Sequence, residues 1–196
     1  TSIGNNAFMN TTSLVSITIP ASVTSIGASA FQYATSLTSI NVDQSNQYYK
    51  DIDGVLFDYS GATLIQYPVG NNTRTNYEIP ASVTEIGGGA FTSATSLRTI
   101  TIPKGVTEIG GGAFSSVTSL TSITIPKSVT EIGGYAFAYT TNLTSVIFEA
   151  GSQLDSIGHY AFQSATALTS INIPEGVKSI GTSAFYGATS LTSITI

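Results

Sequence analysis

The residues able to do chemistry are few and scattered. His159 is the only histidine, and the chain has no cysteine. Nucleophile–base catalysis would therefore rest on one imidazole, and no nucleophile–base–orienter constellation accompanies it. Glu85, Glu108 and Glu131 recur in one phase at a constant interval. Carboxylates stacked in that way could gather Ca²⁺. Lys104 and Lys127, four residues before Glu108 and Glu131, give an ion-pair account instead. Asp51-Ile52-Asp53-Gly54 matches the opening of a calcium loop and lacks its later ligands. The glycine triplets at 87–89 and 110–112 are followed by no Gly-Lys-Ser/Thr, so they are not phosphate loops. Asn10-Thr-Thr12, Asn71-Asn-Thr73 and Asn142-Leu-Thr144 match a glycosylation pattern that arises readily in a Thr-rich chain. No catalytic residue, cofactor site or metal site is predicted.

Composition narrows the classes further. Of the 196 residues, 9% are charged and 41% hydrophobic, against about 25% charged in an ordinary soluble domain. The surface must be built from Ser, Thr, Asn and Gly. Six Lys and Arg against eleven Asp and Glu give a net charge of −5, which argues against a nucleic-acid partner. No apolar run is long enough to insert into a membrane as a helix.

What must position these residues is a repeat. The clearest unit runs from Leu120 through Ile123, Ile125, Pro126, Val129, Ile132, Gly133 and Ala136 to Phe137. Its Ile-Gly anchors are Ile3, Ile26, Ile86, Ile109, Ile132, Ile157 and Ile180, each with a Phe five residues later. Leu-x-x-Ile-x-Ile predicts a short strand sending alternate side chains inward. Pro, which cannot donate to a ladder, ends it. Val-x-x-Ile predicts a second short pass, Gly a turn that often needs positive φ, and Ala-Phe a helical or 3₁₀ arc. No unit can bury these groups alone, so the coils must stack. The fold class predicted is a β-rich, right-handed solenoid over residues 1–196 with a parallel main sheet and short convex-side strands.

The motif Leu-x-x-Ile-x-Ile-Pro-x-x-Val-x-x-Ile-Gly-x-x-Ala-Phe resembles the BspA-like (Treponema-type) leucine-rich repeat. The segment Tyr48–Phe57 with Leu64–Pro68 resembles an insertion typical of that family. Where the family often has Cys, this chain has Ala34, Ala94, Val117, Thr140, Ala165 and Ala188, residues small enough to preserve the packing. The resemblance implies a secreted or cell-surface protein, with some relatives binding host matrix proteins.

The gap from Ile26 to Ile86 is far longer than the regular interval between anchors. Within it, Val55–Phe57 and Leu64–Gln66 flank the turn-forming Asp58–Gly61, predicting a β-hairpin in an insertion over residues 43–76. The sequence leaves open whether Leu64–Gln66 joins the main sheet, and whether the insertion carries binding or covers a face of the stack. The outward strand positions form rows: Ser16/Thr18, Ser39/Asn41, Thr99/Thr101, Ser122/Thr124, Ser145/Ile147, Ser170/Asn172 and Ser193/Thr195. From this concave face the candidate partner-binding residues are Ser39, Asn41, Arg98, Thr99, Thr101, Ser122, Thr124, Ser170 and Asn172. The expected partner is an extracellular protein or glycan. A structural reading stands beside it: a stalk, or a solenoid that self-associates end to end through uncapped coils.

Overall fold

The computed structural model describes residues 1–196 as a stack of coils built almost wholly from strands of two to four residues and turns. The first coils contain β1 (Ser2–Ile3), β2 (Ser16–Ile19), β3 (Ser25–Ile26) and β4 (Ser39–Val42). The interruption contains β5 (Tyr49–Ile52), β6 (Val55–Asp58) and β7 (Thr63–Gln66). The later coils contain β8 (Asn76–Glu78), β9 (Glu85–Ile86), β10 (Thr99–Thr101), β11 (Glu108–Ile109), β12 (Ser122–Ile125) and β13 (Glu131–Ile132). They continue with β14 (Ser145–Phe148), β15 (Ser156–Ile157), β16 (Ser170–Asn172), β17 (Ser179–Ile180) and β18 (Ser193–Thr195).

The Leu-x-x-Ile-x-Ile strands are parallel and hydrogen-bond in four pairs: β2 with β4, β8 with β10, β12 with β14, and β16 with β18. The longest ladder lies on the Val-x-x-Ile pass, in the order β17-β15-β13-β11-β9-β7-β6-β5. Its regular strands hold their register isoleucine to isoleucine, as in Ile109↔Ile132 and Ile132↔Ile157. Inside, Phe91, Phe114, Phe137, Phe162 and Phe185 stack at successive centroid distances of 5.2, 5.1, 5.3 and 5.3 Å. The first four of these rings are fully buried, each contributing roughly 1.5–3 kcal/mol through burial.

The arc around each Phe is neither α nor 3₁₀ helix but a chain of turns. Alternate N–H groups bond within the coil and across to the next. Thr92 donates to Gly89 and Ala94 to Phe91, while Phe91 donates to Ala113 and Ser93 to Ser115. A helix would turn all of these donors onto its own chain, leaving neighbouring coils unpaired.

The glycine after each Ile does not supply positive φ. That conformation falls instead two residues before each Phe and two after it, mostly on non-glycine residues such as Ser29, Tyr33, Tyr135 and Tyr139. The Ile-Gly position is close-packed against the preceding coil. At Gly133 an added Cβ would lie 2.6 Å from the Gly111 nitrogen and 2.8 Å from the Gly110 carbonyl carbon. The role there is close approach.

The long gap between Ile26 and Ile86 hides a degenerate coil. β7 pairs in parallel with β9, Leu64 opposite Ile86, so Leu64–Gln66 joins the Val-x-x-Ile ladder. Tyr67 then takes the aromatic slot, stacking 5.3 Å from Phe91. Asp58–Gly61 joins β6 to β7 antiparallel, as the hairpin reading expects, and β5 adds a further antiparallel strand. The β5–β6 link is Asp53-Gly54, with φ of 52° and 76°, the pattern of a type I′ turn. That replaces any calcium-loop role for Asp53. Asp58 organises the other turn, accepting from the Thr63 N–H at 2.7 Å and from Ser60. Burial pushes its carboxyl pKa up, but these hydrogen bonds outweigh burial and hold it below the usual value.

The inserted strands divide the interior. Leu56 belongs to an eight-residue cluster with Val23, Phe31, Leu37 and Ile40. Its neighbours Val55 and Phe57 belong to a 38-residue cluster running on to Ala184. All three are fully buried, so β6 is a wall with a core on each face. Asn46 ties the insertion's entry to the early coils. Its side-chain amide donates to the Pro20 and Val23 carbonyls, and its oxygen accepts from the Tyr48 and Tyr49 N–H groups.

Candidate functional site

The outward residues of the first-pass strands lie in rows, as period-2 alternation requires. Thr18 is opposite Asn41, Asn76 opposite Thr99, Thr124 opposite Ile147, and Asn172 opposite Thr195. The candidate residues divide into separate groups on this face.

Ser39 and Asn41 sit on β4, beside the insertion. Asn41 is exposed, but Ser39 is half-buried under the Asp53-Gly54 turn. A Cβ at Gly54 would lie 3.0 Å from that of Ser39.

Thr99, Thr101, Ser122 and Thr124 come together around an open hollow of about 380 Å³, with Lys104 and Glu149 also lining it. The Thr99 hydroxyl donates to Asn76 Oδ1 at 2.8 Å. Arg98 is exposed at the start of β10, and its backbone N–H donates to the Thr75 carbonyl.

Ser170 and Asn172 lie on β16. Asn172 lines a larger hollow of about 580 Å³ with Val146, Ile147, Phe148, Glu149 and Glu175. Ile147 is 52% exposed, an apolar side chain in a row of hydroxyls. Its signal in the sequence is the Ile that breaks the outward Ser/Thr/Asn pattern.

The glutamate row is in register, Glu108 facing Glu85 on one side and Glu131 on the other. Burial, then repulsion from Glu85 and Glu131, pushes the Glu108 carboxyl above its usual pKa. The expected ion pairs with Lys104 and Lys127 are absent; the chain's salt bridge is Lys178–Asp155 at 2.9 Å. A four-residue spacing brings side chains together on a helix, not across a turn that leads into a strand. No group of three His, Asp or Glu residues is arranged to hold a metal.

Stacked coils with these anchors define a leucine-rich-repeat solenoid. The chain belongs to the BspA-type leucine-rich-repeat family, whose sequence model matches residues 1–75 and 63–192 in six copies. A leucine-rich cell surface protein from Faecalibacterium prausnitzii is similar over 100% of this chain and 51% of its own, at 34% identity and TM-score 0.89. The present chain thus spans about half of that protein's length. A leucine-rich-repeat protein from Eubacterium ventriosum is 27% identical, covering 96% of this chain and 62% of its own, with TM-score 0.64. The pneumococcal vaccine antigen PcpA shares the fold at 22% identity and TM-score 0.69, covering 100% of this chain and 59% of its own. No curated protein matches the chain. No helix is long and apolar enough to cross a membrane.

Proposed function

We propose that this chain is a non-catalytic recognition segment of a secreted or cell-surface protein, binding an extracellular protein or glycan on the outward face of its first-pass strands. The carrying observation is Ile147. An apolar side chain left half-exposed in a row of small hydroxyls, beside the larger hollow, is the kind of group a partner covers. Thr124 lies opposite it on the neighbouring strand and, with Thr99, Thr101 and Ser122, lines the adjoining hollow with hydroxyls. The description of the Faecalibacterium relative as a cell surface protein supports the location. We further propose that residues 1–196 act as one solenoid with residues 43–76 as its insertion.

The test is binding of the chain to immobilised collagen, fibronectin, laminin and mucin glycans, beside the Thr124→Asp/Ile147→Asp variant. Saturable binding that falls at least about tenfold in the variant, a loss of about 1.4 kcal/mol, is expected. No binding across the panel, or binding indifferent to the variant, overturns the reading.

A further inference from the structure

On the opposite side of the coils, the turn arcs carry a second surface that the first-pass strands do not share. Two residues before each Phe, the backbone adopts positive φ, and most coils fill the slot cheaply: Asn6, Ser29, Gly89, Gly112 and Ser183. Two adjacent coils place tyrosine there, Tyr135 at φ 58° and Tyr160 at φ 55°. A bulky aromatic in this region is a genuine outlier, and such strain concentrates where a site needs the residue. Two residues after the Phe the same region is filled by tyrosine in two separate coils, Tyr33 at φ 58° and Tyr139 at φ 59°, but neither belongs to a stacked pair.

These rings do little for the core. Tyr135 is 40% exposed. Tyr135 and Tyr160 stack on each other, with centroids 4.9 Å apart and planes 13° from parallel. His159, also exposed, meets Tyr135 edge-on at 5.2 Å. Its imidazole lies over Gly134, where a Cβ would come within 2.6 Å of it. The row is flanked by small residues on both sides. Beyond Tyr135 lies Gly112, with nothing within 4 Å of an added Cβ, and beyond Tyr160 lies Ser183. Each end of the stacked pair is therefore left facing a small residue.

Charge selects the ligand. The arcs 133–142, 158–167 and 181–190 contain no Asp, Glu, Lys or Arg. They offer hydroxyls, amides, one imidazole and aromatic surface. A charged peptide or a phosphate would find no counter-charge here, whereas a sugar ring presents a C–H face to an aromatic and hydroxyls to the groups around it. We propose that Tyr135, His159 and Tyr160 form a binding site for neutral pyranose glycans. This site is independent of the strand-face recognition proposed above.

The test exploits the strain. Tyr135→Gly/Tyr160→Ser installs the residues that neighbouring coils carry in the same slot, so the fold is kept. The chain is titrated with neutral oligosaccharides (cellotriose, maltotriose, xylotriose, mannotriose and galactotriose), with binding read by saturation-transfer NMR and calorimetry. The expected result is millimolar or tighter binding of at least one sugar, reduced about tenfold or more in the double variant. The variant's unfolding midpoint should equal or exceed that of the parent. Thr124→Asp/Ile147→Asp on the strand face should bind the sugar unchanged, which separates this site from the first. No binding by any of the five sugars overturns the proposal. So does binding that survives the tyrosine replacements, or a fall in stability that makes the aromatic pair structural.

Discussion

Gly133→Ala should be among the most damaging single-methyl additions to this solenoid. The new Cβ would sit 2.6 to 2.9 Å from three backbone atoms of Gly110 and Gly111. Carbon contacts are comfortable at about 3.5–4.0 Å, so the two coils must separate locally by about 1 Å. That movement takes the Gly133 N–H away from the Ile109 carbonyl, now 2.8 Å distant. A lost backbone hydrogen bond costs about 1 kcal/mol, and overpacking against groups that cannot rotate away adds about 1–3 kcal/mol. A total of about 2–4 kcal/mol follows. Gly112→Ala is the matched control. Its φ is 65° and its surroundings are open, so it incurs only the left-handed penalty of about 1–2 kcal/mol, partly offset by about 0.4–1 kcal/mol of lost unfolded-state freedom. Urea unfolding followed by circular dichroism measures both, and neighbouring positions share one local unfolding unit. If Gly112→Ala costs as much as Gly133→Ala, the account of the Ile-Gly motif as a close-approach site is wrong.

Two further outcomes follow from the buried and stacked polar groups. Because the Glu108 carboxyl is raised in the folded state, its protonated form is favoured by folding. The resulting stabilisation is fully present below the unfolded-state value of 4.5 and is lost as pH rises through the folded value. Glu108→Gln should therefore raise the melting temperature at pH 7 and flatten its gain on acidification from pH 7 to 4; an unchanged profile would refute the like-charge account. The Tyr67 hydroxyl is buried with no hydrogen bond of good geometry; burial pushes its pKa up, opposed by the charge and the hydrogen-bonding reach of the Arg74 side chain. Tyr67→Phe should stabilise the chain by about 1–3 kcal/mol in urea unfolding, and a loss of stability would show that the hydroxyl is satisfied.

The coil was legible because its packing recurs: Ile132 and Phe137 meet their own counterparts above and below, so selection writes the same letters once per turn of the stack. The degenerate coil was not. Leu64 and Tyr67 replace Ile and Phe, Ile65 stands at the expected glycine, and the step from Leu64 to Ile86 falls one short of that from Ile86 to Ile109. Each change hides the anchor in a different way. Nor could the letters distinguish the two uses of glycine: Gly110, Gly111 and Gly112 read alike, yet Gly110 is packed against the preceding coil and Gly112 supplies the positive φ. Of the outward strand face, the rows and their members were readable from alternation. The covering of Ser39 by Gly54 was not, because it depends on how an inserted turn folds back. The aromatic row on the turn arcs escaped for a related reason: tyrosine in a Thr-rich loop signals nothing until its backbone angle is known.

The wall made by β6 means that neighbouring letters of one strand answer to different interiors. A change at Leu56 is registered by the early coils, and a change at Val55 or Phe57 by the later ones. Such a bulkhead lets two lengths of solenoid share a chain while drifting apart in sequence, since a packing defect on one side need not be repaired on the other. It also gives a mechanical seam. Pulled from its ends, the molecule should yield in two compartments, with the inserted strands the boundary at which unravelling pauses.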